Sequence, residues 1–180
     1  MNPLKTKLPV VYLKPGEMYT AERPTMVSTV LGSCVSVTMF SRRLKIGAIC
    51  HGFLPKCTNT KHCDSHYMEE FKYVDYSIMQ MIEGFDKYGI KRSEIEVKLF
   101  GGADALSLQG DKPGTFTVGR QNIQTAIQVI KNERLHLIIS DTGGLRGRKL
   151  IFYTHTGEVL LKRLKQGRFV KKPTLSRNLK

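Results

Sequence analysis

Along the N-terminal part of the chain, apolar residues come in short runs separated by turn formers, which is the pattern of strands. Pro9 to Leu13 is one such run. The Pro15-Gly16 turn and a polar stretch closing at Pro24 follow it, so a leading strand and a loop are expected. Val27 to Leu54 is rich in β-branched and apolar residues and is broken at Gly32-Ser33 and at Ser41-Arg42-Arg43, which predicts strand, turn, strand. Residues 55–70 are polar and loop-like. Beyond them Val74, Ile78, Met81, Ile82 and Phe85 recur at the spacing of one helix face, predicting an amphipathic helix that ends near Gly89. Glu94 to Phe100 reads as a strand stopped by Gly101-Gly102. A second helix is expected from about Asn122, with Ile123, Ile127 and Ile130 inward. A short buried strand, Leu135 to Ser140, then stops at Asp141-Thr142-Gly143-Gly144. Lys149–Thr154 and Val159–Arg163 form a last hairpin around Thr156-Gly157. Strands interleaved with two long helices predict a single α+β or mixed α/β domain over residues 1–170, with 171–180 as a basic, poorly ordered tail.

The stretch from Val27 to Pro55 carries the sharpest expectation. If Val35–Phe40 and Lys45–Cys50 pair as an antiparallel hairpin centred on Arg42-Arg43, facing residues sum to 85. Val35/Cys50, Val37/Ala48 and Met39/Ile46 then form one apolar column. The other face carries Ser36/Ile49, Thr38/Gly47 and, one step on, Cys34/His51. Facing side chains in such a ladder have Cβ atoms ~4.5–5.5 Å apart. An imidazole would then reach a thiol, and a protonated imidazole would lower the thiol pKa. Gly32-Ser33 before Cys34 offers a turn whose N–H groups can face a developing oxyanion. Nucleophile, base and anion hole are the parts of a thiol acyl-transfer site, although a cysteine beside a strand is most often core filler. Cys50, on the apolar column, is expected to be inert.

Composition narrows the class. No apolar run approaches the ~18 residues of a membrane helix, so no membrane insertion is expected. Pro3, Lys5, Lys7, Pro9 and Lys14 interrupt any signal-peptide core, which points to the cytoplasm and to free thiols at Cys34, Cys50, Cys57 and Cys63. Lys and Arg number 29 against 15 Asp and Glu, a net charge of +14, with much of the excess between Arg146 and Lys180. Such a field favours polyanionic partners, whether nucleic acid, anionic membrane or acidic protein. Cys57, His62, Cys63 and His66 are all competent zinc ligands, but their spacing fits no standard finger and a solvated loop is the simpler reading. Gly101-Gly102 and Gly143-Gly144 fit no phosphate-loop pattern and read as tight turns, with Asp104 and Asp141 stabilising them. His136 and His155 read as structural.

Against that background the chain resembles the CheD chemoreceptor glutamine deamidases. The likeness rests on LGSCVSV (31–37), ICHGFLP (49–55), KYVDYSI (72–78), VKLFGGADAL (97–106), VGRQNI (118–123) and DTGGLRGRKLIFYTHTGEVLLKRL (141–164). The resemblance implies a Cys-His-Thr site that converts selected glutamines of methyl-accepting chemoreceptors to glutamate without a cofactor. Carried over, Cys34 is the nucleophile and His51 the general base and acid. The family's threonine falls at Ser28, with Thr29 beside it as the alternative that orients the imidazole, and Gly32 and Ser33 supply the oxyanion turn. The resemblance also implies two mixed sheets packed between helices, as in deamidase toxins of the cytotoxic necrotising factor type, and a CheC-type phosphatase as partner. The rival reading is a basic, non-catalytic binding module, for receptor, CheC or nucleic acid.

Overall fold

Strand β4 (Val35–Ser41) is buried along its whole length and organises the rest. It lies in a computed structural model that describes residues 7–56, 70–104 and 117–165. The other strands are β1 (Val10–Tyr12), β2 (Met18–Thr20), β3 (Met26–Leu31), β5 (Ile46–Cys50), β6 (Ile95–Gly101), β7 (His136–Thr142), β8 (Arg148–Tyr153) and β9 (Val159–Arg163). The long helices are α1 (Val74–Lys87) and α2 (Val118–Asn132). Among the described residues the strands form two sheets, one ordered β1-β3-β8-β9 and one ordered β2-β5-β4-β6-β7. Each is mixed, because β1 runs parallel to β3 and β6 parallel to β7 while the other pairs are antiparallel.

The alternation of β4 divides the interior. Val35, Val37 and Met39 face both helices in one cluster that also holds Ala48, Cys50, Ile78, Met81, Phe85, Val97, Leu99, Ala126 and Ile130. Burying each large apolar side chain there is worth roughly 1.5–3 kcal/mol, which is what holds the amphipathic helices on the sheet. The opposite face of the same sheet meets the four-stranded sheet through Leu13, Val27, Ile49 and Phe152, and through Leu31, Phe100 and Leu150. The described layers therefore run helices, five-stranded sheet, four-stranded sheet. The α+β class with two mixed sheets is as expected. The expected placing of the sheets between helices is not seen among the described residues, where α1 and α2 share one side.

One ion-pair cluster bolts the sheets together. The Arg148 guanidinium, 1% exposed, donates from Nε to Asp141 Oδ1 at 2.8 Å and from its terminal nitrogens to the carbonyls of Gly143 and Arg146, while Arg163 reaches Asp141 Oδ2 at 2.7 Å. Asp141 thus acts through two arginines rather than by the turn bonding expected of it.

Several boundaries differ from the sequence reading for definable reasons. The stretch taken as a loop before Pro24 contains β2, which pairs with β5 from Met18↔Cys50 to Thr20↔Ala48. Helix α2 starts at Val118, four residues before Asn122, because the Thr117 side chain caps it by accepting from Arg120 N. Strand β7 is a sheet edge and is not buried: Ile138 and Ile139 are exposed, as is His136. The central hairpin is registered two residues from the expected pairing. Ser41↔Ile46, Met39↔Ala48 and Thr38↔Ile49 give a sum of 87, and Val35 bridges Gly52. Its turn spans residues 42–45, with Lys45 at φ 54°. The Cys57, His62, Cys63 and His66 cluster and the 171–180 tail lie outside the described residues.

Candidate active site

A slip of two keeps every side chain on its expected face, because strand alternation has period two. Cys50 is buried in the helix-facing cluster, where burial pushes its thiol up to about 11. Cys34 and His51 share the face turned to the four-stranded sheet, but they are not direct partners. With Val35 opposite Gly52, His51 falls opposite Ser36, and Cys34 lies one pleat further along. Such diagonal neighbours are ~7–8 Å apart and remain within reach of an aromatic ring.

The backbone of His51 is pinned on both sides. Its N–H donates to Glu17 O at 2.9 Å, and its carbonyl accepts from Gly16 N at 2.8 Å. Gly16 presents that N–H from a turn at φ +78°, a conformation that glycine adopts without strain. The ring is buried, 1% exposed, and Nδ1 lies 2.8 Å from Thr29 Oγ1. The Thr29 hydroxyl also lies 2.8 Å from Leu13 O, a carbonyl that can only accept, and when its proton goes there it accepts from the ring. In that arrangement the proton is on Nδ1 and the lone pair on Nε2, which has no hydrogen-bond partner among the described residues. Burial drives the imidazole pKa down to about 4, against a smaller upward pull from the Leu13 carbonyl and the Glu17 charge. At neutral pH the ring is an uncharged acceptor.

Thr29, and not Ser28, is the hydroxyl on His51. Along β3 the burial alternates, with Val27, Thr29 and Leu31 inward. Ser28, paired with Tyr12 and Ile151, points to the outer side of the four-stranded sheet and cannot reach the ring. Counting back from Cys34 misleads here because the Gly32-Ser33 bend interrupts the alternation between β3 and β4.

Cys34 sits immediately before β4, half-buried against Leu31, Phe100 and Leu150. Burial raises its thiol pKa, while hydrogen bonds from the backbone of Cys34 itself and of Gly32 pull it the other way. The direction is opposite to that expected from a protonated imidazole. Thiol and ring are both neutral at rest.

The turn that presents the sulfur is held by its carbonyls. Gly32 O accepts from Ala103 N at 2.8 Å, Cys34 O from Gly102 N at 2.7 Å, and Ser33 O from Asn122 Nδ2 at 3.0 Å. Gly101 and Gly102 adopt φ +106° and +67°, and a Cβ on Gly101 would collide with the Cys34 carbonyl, so the glycine pair serves close backbone approach. Asp104 accepts from Thr117 Oγ1 and Arg120 Nε, tying that turn to the start of α2. Asn122, placed by the sequence only as a helix start, is fully buried beside the Gly32-Ser33-Cys34 turn. A polar residue on the inner face shared with Ile123, Ala126 and Ile130 was the signal for it.

A thiol and an accepting imidazole on one buried sheet face, with peptide N–H groups at the sulfur, can carry out acyl transfer through a thioester. The comparisons place the chain more closely. Residues 53–163 match the family described as CheD chemotactic sensory transduction. Over 158 residues the chain is 52% identical to the probable chemoreceptor glutamine deamidase CheD 2 of Geobacter sulfurreducens, covering 88% of this chain and 92% of that one. It is 39% identical over 160 residues to the probable chemoreceptor glutamine deamidase CheD of Maridesulfovibrio salexigens, covering 88% and 94%. The chain belongs to the CheD family. Among solved structures, the hypothetical protein YfiH of Bacillus licheniformis overlaps 72% of this chain and 51% of its own, at TM-score 0.48 and 8% identity.

Proposed function

We propose that this chain is a protein-glutamine deamidase acting on the cytoplasmic domains of methyl-accepting chemoreceptors, with Cys34 as nucleophile and His51 as general base and acid. The relatives named as chemoreceptor glutamine deamidases support the substrate. The observation that carries the chemistry is the His51 ring itself: Nδ1 lies 2.8 Å from the Thr29 hydroxyl, and Nε2, on the face that Cys34 shares, has no hydrogen-bond partner among the described residues.

The reaction follows from the two neutral groups. Nε2 takes the thiol proton as the sulfur attacks the glutamine Cδ, so no standing ion pair is required. The tetrahedral oxyanion lies near the N–H groups of the Gly32-Ser33-Cys34 turn. The imidazolium returns its proton to the departing nitrogen, ammonia leaves, and a thioester remains. Water then gives its proton to Nε2, attacks the thioester carbonyl, and the thiol is restored as glutamate is released. No step calls on a metal or organic cofactor. The net charge of +14 suits docking on an acidic partner surface, and a CheC-type phosphatase belongs to the same reading as a second partner.

Mass spectrometry of a receptor cytoplasmic fragment tests this. Each converted glutamine gains ~1 Da, and Cys34→Ala should abolish the gain because the covalent step has no substitute nucleophile. Conversion retained in Cys34→Ala would overturn the assignment. Duplex DNA binding as tight as receptor binding would favour the basic-module rival.

A further inference from the structure

Asn122 is out of character for its position. It is wholly buried on the inner face of α2, where a carboxamide costs free energy unless its hydrogen bonds are made. Its Nδ2 donates to Ser33 O at 3.0 Å and to Phe53 O at 3.2 Å. Two carbonyl acceptors fix the orientation of the amide, since its oxygen could not face them. One side chain therefore bridges the residue before the nucleophile and the residue two beyond the base.

The peptide it grips matters most. The Ser33 carbonyl and the Cys34 N–H belong to one peptide plane and point in opposite directions in the trans form. Holding that carbonyl towards α2 turns the Cys34 N–H away from the helix, so the direction of the nucleophile residue's own N–H depends on this one contact. The flanking carbonyls are held by backbone donors, at Ala103 and Gly102, which no side-chain substitution removes. The middle peptide alone depends on a side chain.

We propose that Asn122 is a positioning residue: by clamping the Ser33 and Phe53 carbonyls it sets the direction of the Cys34 N–H for the developing oxyanion, and fixes the nucleophile turn against the segment that follows His51. This rests on the deamidase reading for its catalytic consequence, but not for its effect on the thiol.

The test uses the full chain with Asn122→Ala and Asn122→Leu, the second of which keeps a similar volume and removes both donors without adding a charge. Iodoacetamide alkylation of Cys34, followed across pH, reports the thiol pKa without any substrate. The variants should titrate at higher pH than wild type, because the N–H that favours the thiolate is no longer held. Deamidation of a receptor fragment should show kcat reduced by at least about tenfold and at most the roughly 10²–10³ of a lost oxyanion donor, with KM within about twofold. Alkylation profiles and kcat matching wild type would overturn the proposal. So would variants that fail to fold at all, or a kcat loss with an unmoved thiol titration, since either outcome makes Asn122 a structural residue only. Absence of deamidase activity in the wild type, with the alkylation shift present, would count against the proposed function while leaving the clamp standing.

Discussion

The two faces of the five-stranded sheet are built from alternate residues of the same strands, yet only one of them mixes polar groups into its apolar packing. Toward the helices, Val35, Val37, Met39, Ala48 and Cys50 pack with apolar neighbours, and Cys50 is a thiol raised to about 11 with nothing to activate it. Toward the second sheet lie Ser36, Thr38 and His51, all buried, with Thr29 entering from the facing strand. Cys34 stands at the end of that polar row and stays half-exposed. One residue of offset therefore separates a filler cysteine from a candidate nucleophile. Thiol chemistry here is decided by strand parity and by what the facing layer supplies.

The largest test of that contrast is His51→Ala. Removing a general base typically costs roughly 10²–10⁴ in rate, so deamidation of a receptor fragment should fall by that order while Cys50 environments remain unchanged. A fall of less than about tenfold would place the base elsewhere.

Acid comes next. The folded His51 titrates near 4 and an unfolded imidazole near 6.5, so the unfolded chain binds the proton first as pH drops. The contribution is complete above about 6.5 and is lost progressively toward 4, up to roughly 3 kcal/mol. Urea midpoints measured at pH 7 and at pH 4.5 should show a loss in wild type that is smaller in His51→Gln, which cannot titrate. Equal losses in both would mean that the ring is not buried neutral.

The smallest effect separates two neighbouring hydroxyls. Thr29→Val removes the acceptor of the ring proton and should lower kcat roughly tenfold to a hundredfold, as loss of the partner to a working histidine's other nitrogen does. Ser28→Ala, on the outer sheet face, should change kcat by less than about twofold. The reverse ranking would restore the spacing-based assignment.

Much of this architecture is legible from residue patterns. Helix α1 is predicted by its stripe from Val74 to Phe85, and the final hairpin by its Thr156-Gly157 turn, because each depends on local periodicity or turn chemistry. The hairpin between β4 and β5 shows where such reading loses precision. Its turn has no glycine or asparagine to mark the centre, Lys45 takes the left-handed position, and period-two alternation cannot detect a slip of two. Faces survive and partners do not. Thr29 and Asn122 are only partly legible, Thr29 as the alternative to Ser28 and Asn122 as a polar residue on an apolar helix face, for another reason. Their roles arise from packing between segments distant in sequence, and only the burial of a polar side chain announces them.

The contacts that hold the Gly32-Ser33-Cys34 turn come from residues far apart in the order of synthesis. Cys34 and His51 leave the ribosome early, but the groups that grip the turn, at Gly102, Ala103 and Asn122, are synthesised much later. On the proposed clamp, a chain that lacks the second helix should carry a Cys34 whose neighbouring peptide is not yet held.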